Sequence, residues 1–131
     1  MNFPLDHVGI AVPSIEAVLP FYEMLTGQSA TIVERIESQG VDVAFIGETT
    51  RIELIQPIRA DSTVQRFLDR RGAGLHHIAY RVSDIRAELD RLRAAGVRLI
   101  DEEPRAGAEG HLVAFLHPST SGGVLIELVQ H

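Results

Sequence analysis

Two glutamates occupy the same position in two nearly identical apolar segments. Residues 52–56 read IELIQ and residues 126–130 read IELVQ, with Glu53 and Glu127 second in each segment. Because side chains alternate faces along a strand, each glutamate points away from the leucine that follows it. If the leucines pack against helices, both carboxylates are turned inward. A buried, ionised carboxylate without a partner is strongly disfavoured, so the two glutamates require compensating positive charge.

Two histidines are repeated in the same manner. His7 lies in LDHVGIAV and His77 lies in LHHIAYRV, 70 residues further along the chain. His7 shares its strand face with Gly9 and Ala11, and His77 shares its face with Ala79. Two imidazoles and two carboxylates suit Mn, Fe, Co, Ni or Zn, and six-coordination leaves two positions for a chelating substrate. The sequence therefore predicts one divalent metal ion held by His7, Glu53, His77 and Glu127.

The elements around these residues repeat as well. A strand containing each histidine is followed by a helical pattern, which begins after Ser14 in the first copy and takes Ser83 as its N-cap in the second. Pro20 predicts a kink or a later start of the first helix. Two runs of apolar and β-branched residues then precede each glutamate strand, and these predicted strands are 30–36, 41–46, 97–100 and 111–116.

Each half is thus predicted to be βαβββ, and the fold class is α+β. The first βαβββ module covers about residues 3–57, and the second covers about residues 73–131. A linker helix at about residues 61–72 begins with Ser62 and Gln65 at the spacing of a capping box. We expect the whole chain, residues 1–131, to form one domain in which both modules contribute to a metal-binding cup.

Composition narrows the classes of partner. The net charge of −6 disfavours nucleic acid and anionic membranes, and no stretch of the sequence is long and apolar enough to span a bilayer. The absence of cysteine excludes thiolate metal sites. Since no secretory signal is visible, we expect a cytoplasmic protein. His76 faces away from His77 and is predicted to be structural, and His111, His117 and His131, which lack partners by spacing, are predicted at the surface.

Several segments together resemble a known family. They are LDHVGIAV, IESQGV, RIELIQP, GLHHIAYRV and FLHPSTSGGVLIELVQ, and they extend over the whole chain. They are similar to the methylmalonyl-CoA epimerases of the vicinal-oxygen-chelate (glyoxalase/bleomycin-resistance/dioxygenase) superfamily. The resemblance implies paired βαβββ modules around a metal, a homodimer, and metal ligands at His7, Glu53, His77 and Glu127. In some epimerases glutamine stands at the position of Glu53, so the site here is more anionic.

The resemblance also implies a reaction and a substrate. Epimerisation of (2R)- and (2S)-methylmalonyl-CoA passes through an enolate that a metal stabilises, and it needs a base on each face of the α-carbon. Glu37, in a predicted turn, is implied as one base, and Glu127 is suggested as the second. The coenzyme A phosphates favour arginine. The candidate phosphate-binding residues are Arg51, Arg59, Arg70, Arg71 and Arg105.

Three alternatives remain at this point. A glyoxalase I-type lactoylglutathione lyase could use the same four ligands, and Glu37 with the GGVLIELVQ ending favours the epimerase. A ring-opening dioxygenase is expected to use two histidines and only one glutamate, so the second glutamate counts against it. A metal-free resistance protein that binds a small molecule needs an apolar, aromatic cavity, and this chain is only 5% aromatic.

Overall fold

The computed structural model describes residues 3–131, which contain eight strands and three α-helices. They form two compact units. The first unit consists of residues 7–76, and the second consists of residues 77–131 with the described residues that precede His7. Among the described residues, no helix combines the length and the apolar character needed to cross a bilayer.

Both halves of the chain have the predicted order of elements. In the first half the elements are β1 (Leu5–Ala11), α1 (Ile15–Thr26), β2 (Glu34–Ile36), β3 (Val41–Ile46) and β4 (Arg51–Pro57). After α2 (Thr63–Arg71), the second half contains β5 (Gly74–Arg81), α3 (Ile85–Ala94), β6 (Arg105–Ala106), β7 (Leu112–Leu116) and β8 (Ile126–Gln130). The α+β class and the two βαβββ repeats are therefore confirmed.

The same strand pairing occurs in each half. The order is β2-β3-β4-β1 in the first and β6-β7-β8-β5 in the second. The histidine strand runs parallel to the glutamate strand, as β1 beside β4 and β5 beside β8. The other pairs are antiparallel. This topology brings the first and the last strand of each repeat side by side, which is what places a histidine close to a glutamate.

One face of each half packs against its helix. Leu54 is fully buried in a cluster with Val12 and Ile15, and the half-buried Leu19 of α1 packs against it. Leu128 is buried with the α3 residues of the other half. The two leucines that follow the glutamates thus face the helices, as the sequence predicts. Strand alternation then directs Glu53 and Glu127 to the opposite face.

The glutamine that ends each repeated IEL(I/V)Q segment ties the glutamate strand to a helix. The Ile15 backbone N–H at the start of α1 donates to Gln56 Oε1 at 2.8 Å. In the second half the Ile85 N–H, at the start of α3, donates to Gln130 Oε1 at 2.9 Å. Each glutamine satisfies one of the four N–H groups that a helix leaves unpaired at its start. The glutamine therefore fixes the strand and the helix relative to each other within each half.

We expect Gln130→Leu to lower the free energy of unfolding by about 1–2 kcal/mol, because the fully buried Ile85 would keep an N–H group with no acceptor. Gln130→Glu is the matched control, since it retains an acceptor oxygen and adds a negative charge that a helix N-terminus favours. Urea denaturation of both variants measures the difference. Equal destabilisation by leucine and glutamate would show that the hydrogen bond has no such role.

Two helix predictions are corrected by the structure. The N-cap of α3 is Asp84 rather than Ser83, because Asp84 has the extended backbone of a cap and its side chain accepts a hydrogen bond from the Ala87 N–H at 3.1 Å. The first helix does not start later because of Pro20. It begins at Ile15, where the Ser14 side chain and Gln56 both accept N–H groups of the first turn.

The predicted strand at residues 97–100 is wrong. Leu99 makes a single bridge to Leu116, and backbone hydrogen bonds join residues 98–101 to residues 115–117 without forming a regular ladder. The regular pairing with β7 is made by Arg105 and Ala106. The Asp101 side chain accepts the hydrogen bond of the Phe115 N–H at 2.9 Å and so replaces a backbone acceptor at this point. The predicted strand at residues 30–36 is shortened to Glu34–Ile36.

The linker helix is confirmed, but its capping box is not. Ser62 is the N-cap of α2 and accepts a hydrogen bond from the Val64 N–H at 3.2 Å. Gln65 does not bond back to the cap in the reciprocal manner that defines a capping box. Its amide donates instead to Asp69, one turn further along the helix, at 2.9 Å.

Candidate metal centre

The first half of the chain presents one buried histidine and one buried glutamate on adjacent parallel strands. Gly9 is the register partner of Glu53, so the glutamate stands beside a residue without a side chain. His7 is 4% exposed and Glu53 is 7% exposed. The distance from His7 Nε2 to Glu53 Oε1 is 3.4 Å. The strand pairing alone thus sets an imidazole nitrogen against a carboxylate.

The second half repeats this arrangement. Ala79 is the register partner of Glu127, again a small residue beside the carboxylate. His77 is 4% exposed and Glu127 is 5% exposed, and His77 Nε2 lies 3.1 Å from Glu127 Oε1. The two pairs therefore have the same chemistry, the same burial and nearly the same spacing. The repeat seen in the sequence therefore corresponds to a repeated histidine–glutamate pair in the structure.

The four side chains can hold a metal ion. Each of His7, Glu53, His77 and Glu127 offers one ligand atom, and these atoms all lie within 4.8 Å of one another. Nitrogen and oxygen ligands about 2.0–2.2 Å from one centre can be at most about 4.4 Å apart, so only a small contraction is needed. Two neutral imidazoles and two carboxylates form a donor set that suits a divalent transition metal.

A phenylalanine stands against each histidine. Phe45 is the cross-strand partner of Glu53, and its ring meets the His7 ring edge to face, with centroids 5.5 Å apart and planes 80° apart. Phe115 is the partner of Glu127 and meets His77 at 5.5 Å and 83°. These rings restrict the rotation of the two imidazoles. They are the residues of the site that sequence analysis missed.

The sequence does carry a signal for these phenylalanines. Residues 43–46 read VAFI and residues 113–116 read VAFL, at the same 70-residue offset as the histidines. The residue whose side chain accepts the backbone N–H of each phenylalanine is repeated at the same offset. The Phe45 N–H donates to Thr31 Oγ1 at 2.9 Å, and the Phe115 N–H donates to Asp101 Oδ2 at 2.9 Å. Comparing the two halves of the chain over their full length would have found both rings.

Glu37 is not one of the four clustered residues. It begins a short 3₁₀ turn, Glu37–Gln39, between β2 and β3, and its side chain is 73% exposed. Gly40 ends this turn in the left-handed region, with φ of 68°. The predicted turn that contains Glu37 is thus confirmed. The base role of Glu37 and that of Glu127 stay predictions.

Two of the five candidate arginines lie beside the phenylalanines. The Arg51 guanidinium carbon is 4.1 Å from the centre of the Phe45 ring. That of Arg105 is 5.8 Å from the Phe115 ring. Arg59 follows β4, and Arg70 and Arg71 are in the last turn of α2. Their contacts with coenzyme A stay predictions.

The other histidines have structural partners. The rings of His76 and Phe67 meet edge to face at 4.9 Å, in agreement with a structural role. His117 Nδ1 accepts a hydrogen bond from the Ser119 N–H at 3.0 Å. His131 is exposed, as predicted, and His111 is half-buried. Their rings stack at 3.9 Å, and His131 Nε2 lies 2.6 Å from Asp6 Oδ1.

Known proteins resemble this chain over nearly its whole length. A family model described as the Glyoxalase/Bleomycin resistance protein/Dioxygenase superfamily matches residues 6–115. The ethylmalonyl-CoA/methylmalonyl-CoA epimerase of Cereibacter sphaeroides is 43% identical over 129 residues, which cover 96% of each chain. These matches agree with the resemblance read from the sequence.

Solved structures are similar over nearly the whole chain. The crystal structure of methylmalonyl-CoA epimerase from Mycobacterium tuberculosis is 40% identical with a TM-score of 0.91 and covers 97% of this chain and 87% of its own. A variant of the Streptomyces coelicolor methylmalonyl-CoA epimerase in complex with 2-nitronate-propionyl-CoA is 37% identical with a TM-score of 0.92 and covers 97% and 93%. The chain belongs to the Glyoxalase/Bleomycin resistance protein/Dioxygenase superfamily.

Proposed function

We propose that this chain interconverts (2R)- and (2S)-methylmalonyl-CoA. The observation that carries the proposal is the group of four buried ligand residues, two histidines and two glutamates, in a chain 43% identical to an ethylmalonyl-CoA/methylmalonyl-CoA epimerase. The reaction removes the hydrogen between a thioester and a carboxylate and returns a proton to the opposite face. It therefore requires stabilisation of an enolate and two groups that exchange protons.

The four residues would hold one divalent cation, and their nitrogen and oxygen donors suit Co, Mn, Ni, Zn or Fe. When bound, the cation supplies Lewis-acid stabilisation of the negative charge that develops on the thioester oxygen. The burial of His7, Glu53, His77 and Glu127 supports this assignment, because two carboxylates that are 7% and 5% exposed need a positive partner. Within each half, strand pairing holds the histidine beside the glutamate.

Glu37 is proposed as the base on one face of the α-carbon. It lies outside the ligand group and is exposed, so its carboxylate can take the proton while the buried glutamates bind the cation. Glu127 is proposed for the other face. A carboxylate that also binds a cation is a weaker base, and its second oxygen would serve this role.

The substrate class is proposed to be an acyl-CoA thioester with a carboxylate on carbon 2. The Streptomyces coelicolor relative binds 2-nitronate-propionyl-CoA, a thioester with an anionic group on that carbon. The name of the Cereibacter sphaeroides relative adds ethylmalonyl-CoA as a second substrate to test. Arg51 and Arg105, which lie against the phenylalanines, are the proposed contacts for the negatively charged coenzyme A. We also propose a homodimer that acts in the cytoplasm as a single-domain chain.

Deuterium wash-in tests the proposed reaction. The purified protein in D₂O with each epimer of methylmalonyl-CoA should incorporate deuterium at carbon 2 and form the other epimer. Methylglyoxal with glutathione is the matched control substrate for a glyoxalase I-type activity. Turnover of that mixture without deuterium exchange in methylmalonyl-CoA would contradict the proposal. Binding of a small molecule by metal-free protein, without exchange, would indicate a resistance protein.

We expect Phe115→Leu to weaken metal binding by roughly 10- to 100-fold, the effect typical of residues that orient a ligand. Leucine fills much of the same volume but has no ring to hold the His77 imidazole edge to face. Competition with a chromogenic chelator gives the dissociation constant. Phe67→Leu is the matched control, because Phe67 makes the same kind of contact with His76, outside the ligand group. Equal affinities of the two variants would refute the role of Phe115.

A further inference from the structure

The exposed turn that carries Glu37 is held by an arginine from another segment. Arg59, just after β4, donates from Nη2 to the Glu37 backbone carbonyl at 3.0 Å. The Gly40 N–H donates to the same carbonyl at 3.1 Å. The carbonyl of the proposed base is thus fixed from inside the turn and from outside it. Arg59 is the side chain that couples the turn to the end of the glutamate strand.

Arg59 is itself oriented by an acidic neighbour. Its Nε lies 3.0 Å from Asp61 Oδ1, so one edge of the guanidinium is held while the other contacts Glu37. The distance from Arg59 Nη1 to Glu37 Oε2 is 3.6 Å, which is longer than a hydrogen bond. Arg59 therefore binds the backbone of Glu37 more closely than its carboxylate. Because Arg59 does not hydrogen-bond to the Glu37 carboxylate, the carboxylate can accept a proton from the substrate.

Gly40 leaves the space that the guanidinium occupies. A Cβ at position 40 would lie 3.1 Å from Arg59 Cζ and 3.3 Å from Ser62 Cβ, and the φ of +68° already favours glycine. The Gly40 carbonyl accepts the Ile58 N–H at 3.0 Å. The turn is therefore packed directly against the segment that contains Arg59. The exposed ion pair between Arg59 and Asp61 by itself contributes little to stability.

We propose that Arg59 is a positioning residue that sets the Glu37 carboxylate against the α-carbon of the substrate. The inference rests on the proposed epimerase function and on Glu37 as one base. In the step concerned, the proton moves from carbon 2 to the carboxylate, and the electron pair of the C–H bond passes into the thioester carbonyl. Arg59 does not touch the reacting atoms. It acts through the backbone of Glu37.

Arg59→Gln removes the bridge and is expected to lower kcat by about 10- to 100-fold with an unchanged KM, the effect of a misplaced reacting group. In D₂O the two epimers should then exchange their α-hydrogens at different rates. The epimer whose α-hydrogen faces the other base still exchanges it through that base, with retention of configuration. The epimer whose hydrogen faces Glu37 exchanges slowly. A merely structural defect would slow exchange in both.

Arg35→Gln is the matched control. Arg35 is on β2, which leads into the turn, and it donates to both oxygens of Asp42 without contacting the Glu37 backbone. That hydrogen bond raises the pKa of Arg35, and the charge of Glu37 adds to the effect, so Arg35→Gln also removes a positive charge near Glu37. We expect it to keep wild-type kcat and equal exchange in both epimers. Arg59→Lys should restore only part of kcat. Its ammonium group can donate to one acceptor but cannot bridge Asp61 and the Glu37 carbonyl as a guanidinium does.

Gly40→Ala gives an independent test, because the added Cβ displaces Arg59 from the opposite side. It should reproduce the unequal exchange of Arg59→Gln. A rise in KM with unchanged kcat in Arg59→Gln would overturn the proposal and make Arg59 a substrate contact. Equal exchange in both epimers would overturn it as well. If Glu37→Gln leaves exchange normal, Glu37 is not the base. If Glu37→Gln impairs exchange but the Arg59 and Gly40 variants leave it normal, only the positioning role of Arg59 is refuted.

Discussion

Replacement of His77 by alanine is expected to remove the bound metal and the epimerase activity together. His77 offers one of the four ligand atoms, and its loss leaves one imidazole and two carboxylates. Metal affinity should fall by more than the roughly 10- to 100-fold that a residue orienting a ligand contributes. Without the cation, the enolate loses its main stabilisation. Elemental analysis of the purified protein and deuterium wash-in measure the two losses.

A binding measurement separates this result from unfolding. A cation at 100 times its dissociation constant adds about 2.7 kcal/mol to the free energy of unfolding of a protein that binds it only when folded. Cobalt should therefore stabilise the wild type against urea but not His77→Ala. His76→Ala is the control, because this neighbouring histidine contacts Phe67 instead. A stoichiometric metal ion in His77→Ala would contradict the proposed ligand set.

The two buried histidine–glutamate pairs could be predicted because they depend on short-range rules. Strand alternation determines which face a side chain takes, and a parallel pairing of the first and last strand of each repeat brings the histidine to the glutamate. The duplication made the inference stronger. A single inward glutamate is ambiguous, whereas Glu53 and Glu127 at equal positions in two strands indicate a shared requirement.

Other features depend on contacts that local patterns do not encode. The pairing of His131 with Asp6 joins residues 125 positions apart, and no spacing rule predicts it. The strand expected at residues 97–100 has a suitable apolar composition, but the Asp101 side chain replaces a backbone carbonyl as the acceptor for the Phe115 N–H of β7. Side-chain competition for backbone groups decides such cases. It becomes visible only when both partners are located.

Glu37→Gln is expected to keep the metal and to lower epimerisation by about 10²- to 10⁴-fold, the usual contribution of a general base. Glutamine has nearly the same shape, but it cannot accept the proton of carbon 2. The metal should remain because Glu37 lies outside the four-residue ligand group. Epimerisation in both directions is measured with deuterium incorporation and metal content. Glu48→Gln, an exposed residue of the same unit, controls for the loss of one negative charge.

The pattern of exchange decides the assignment of both bases. In Glu37→Gln, one epimer should still exchange its α-hydrogen with retention through the second base, while inversion is lost. Glu127→Gln keeps an oxygen that can bind the metal and should give the complementary pattern, with exchange retained in the other epimer. The same epimer exchanging in both variants would remove Glu127 as the second base. Normal inversion in Glu37→Gln would remove Glu37, because a two-sided proton transfer cannot proceed with an acceptor on only one side.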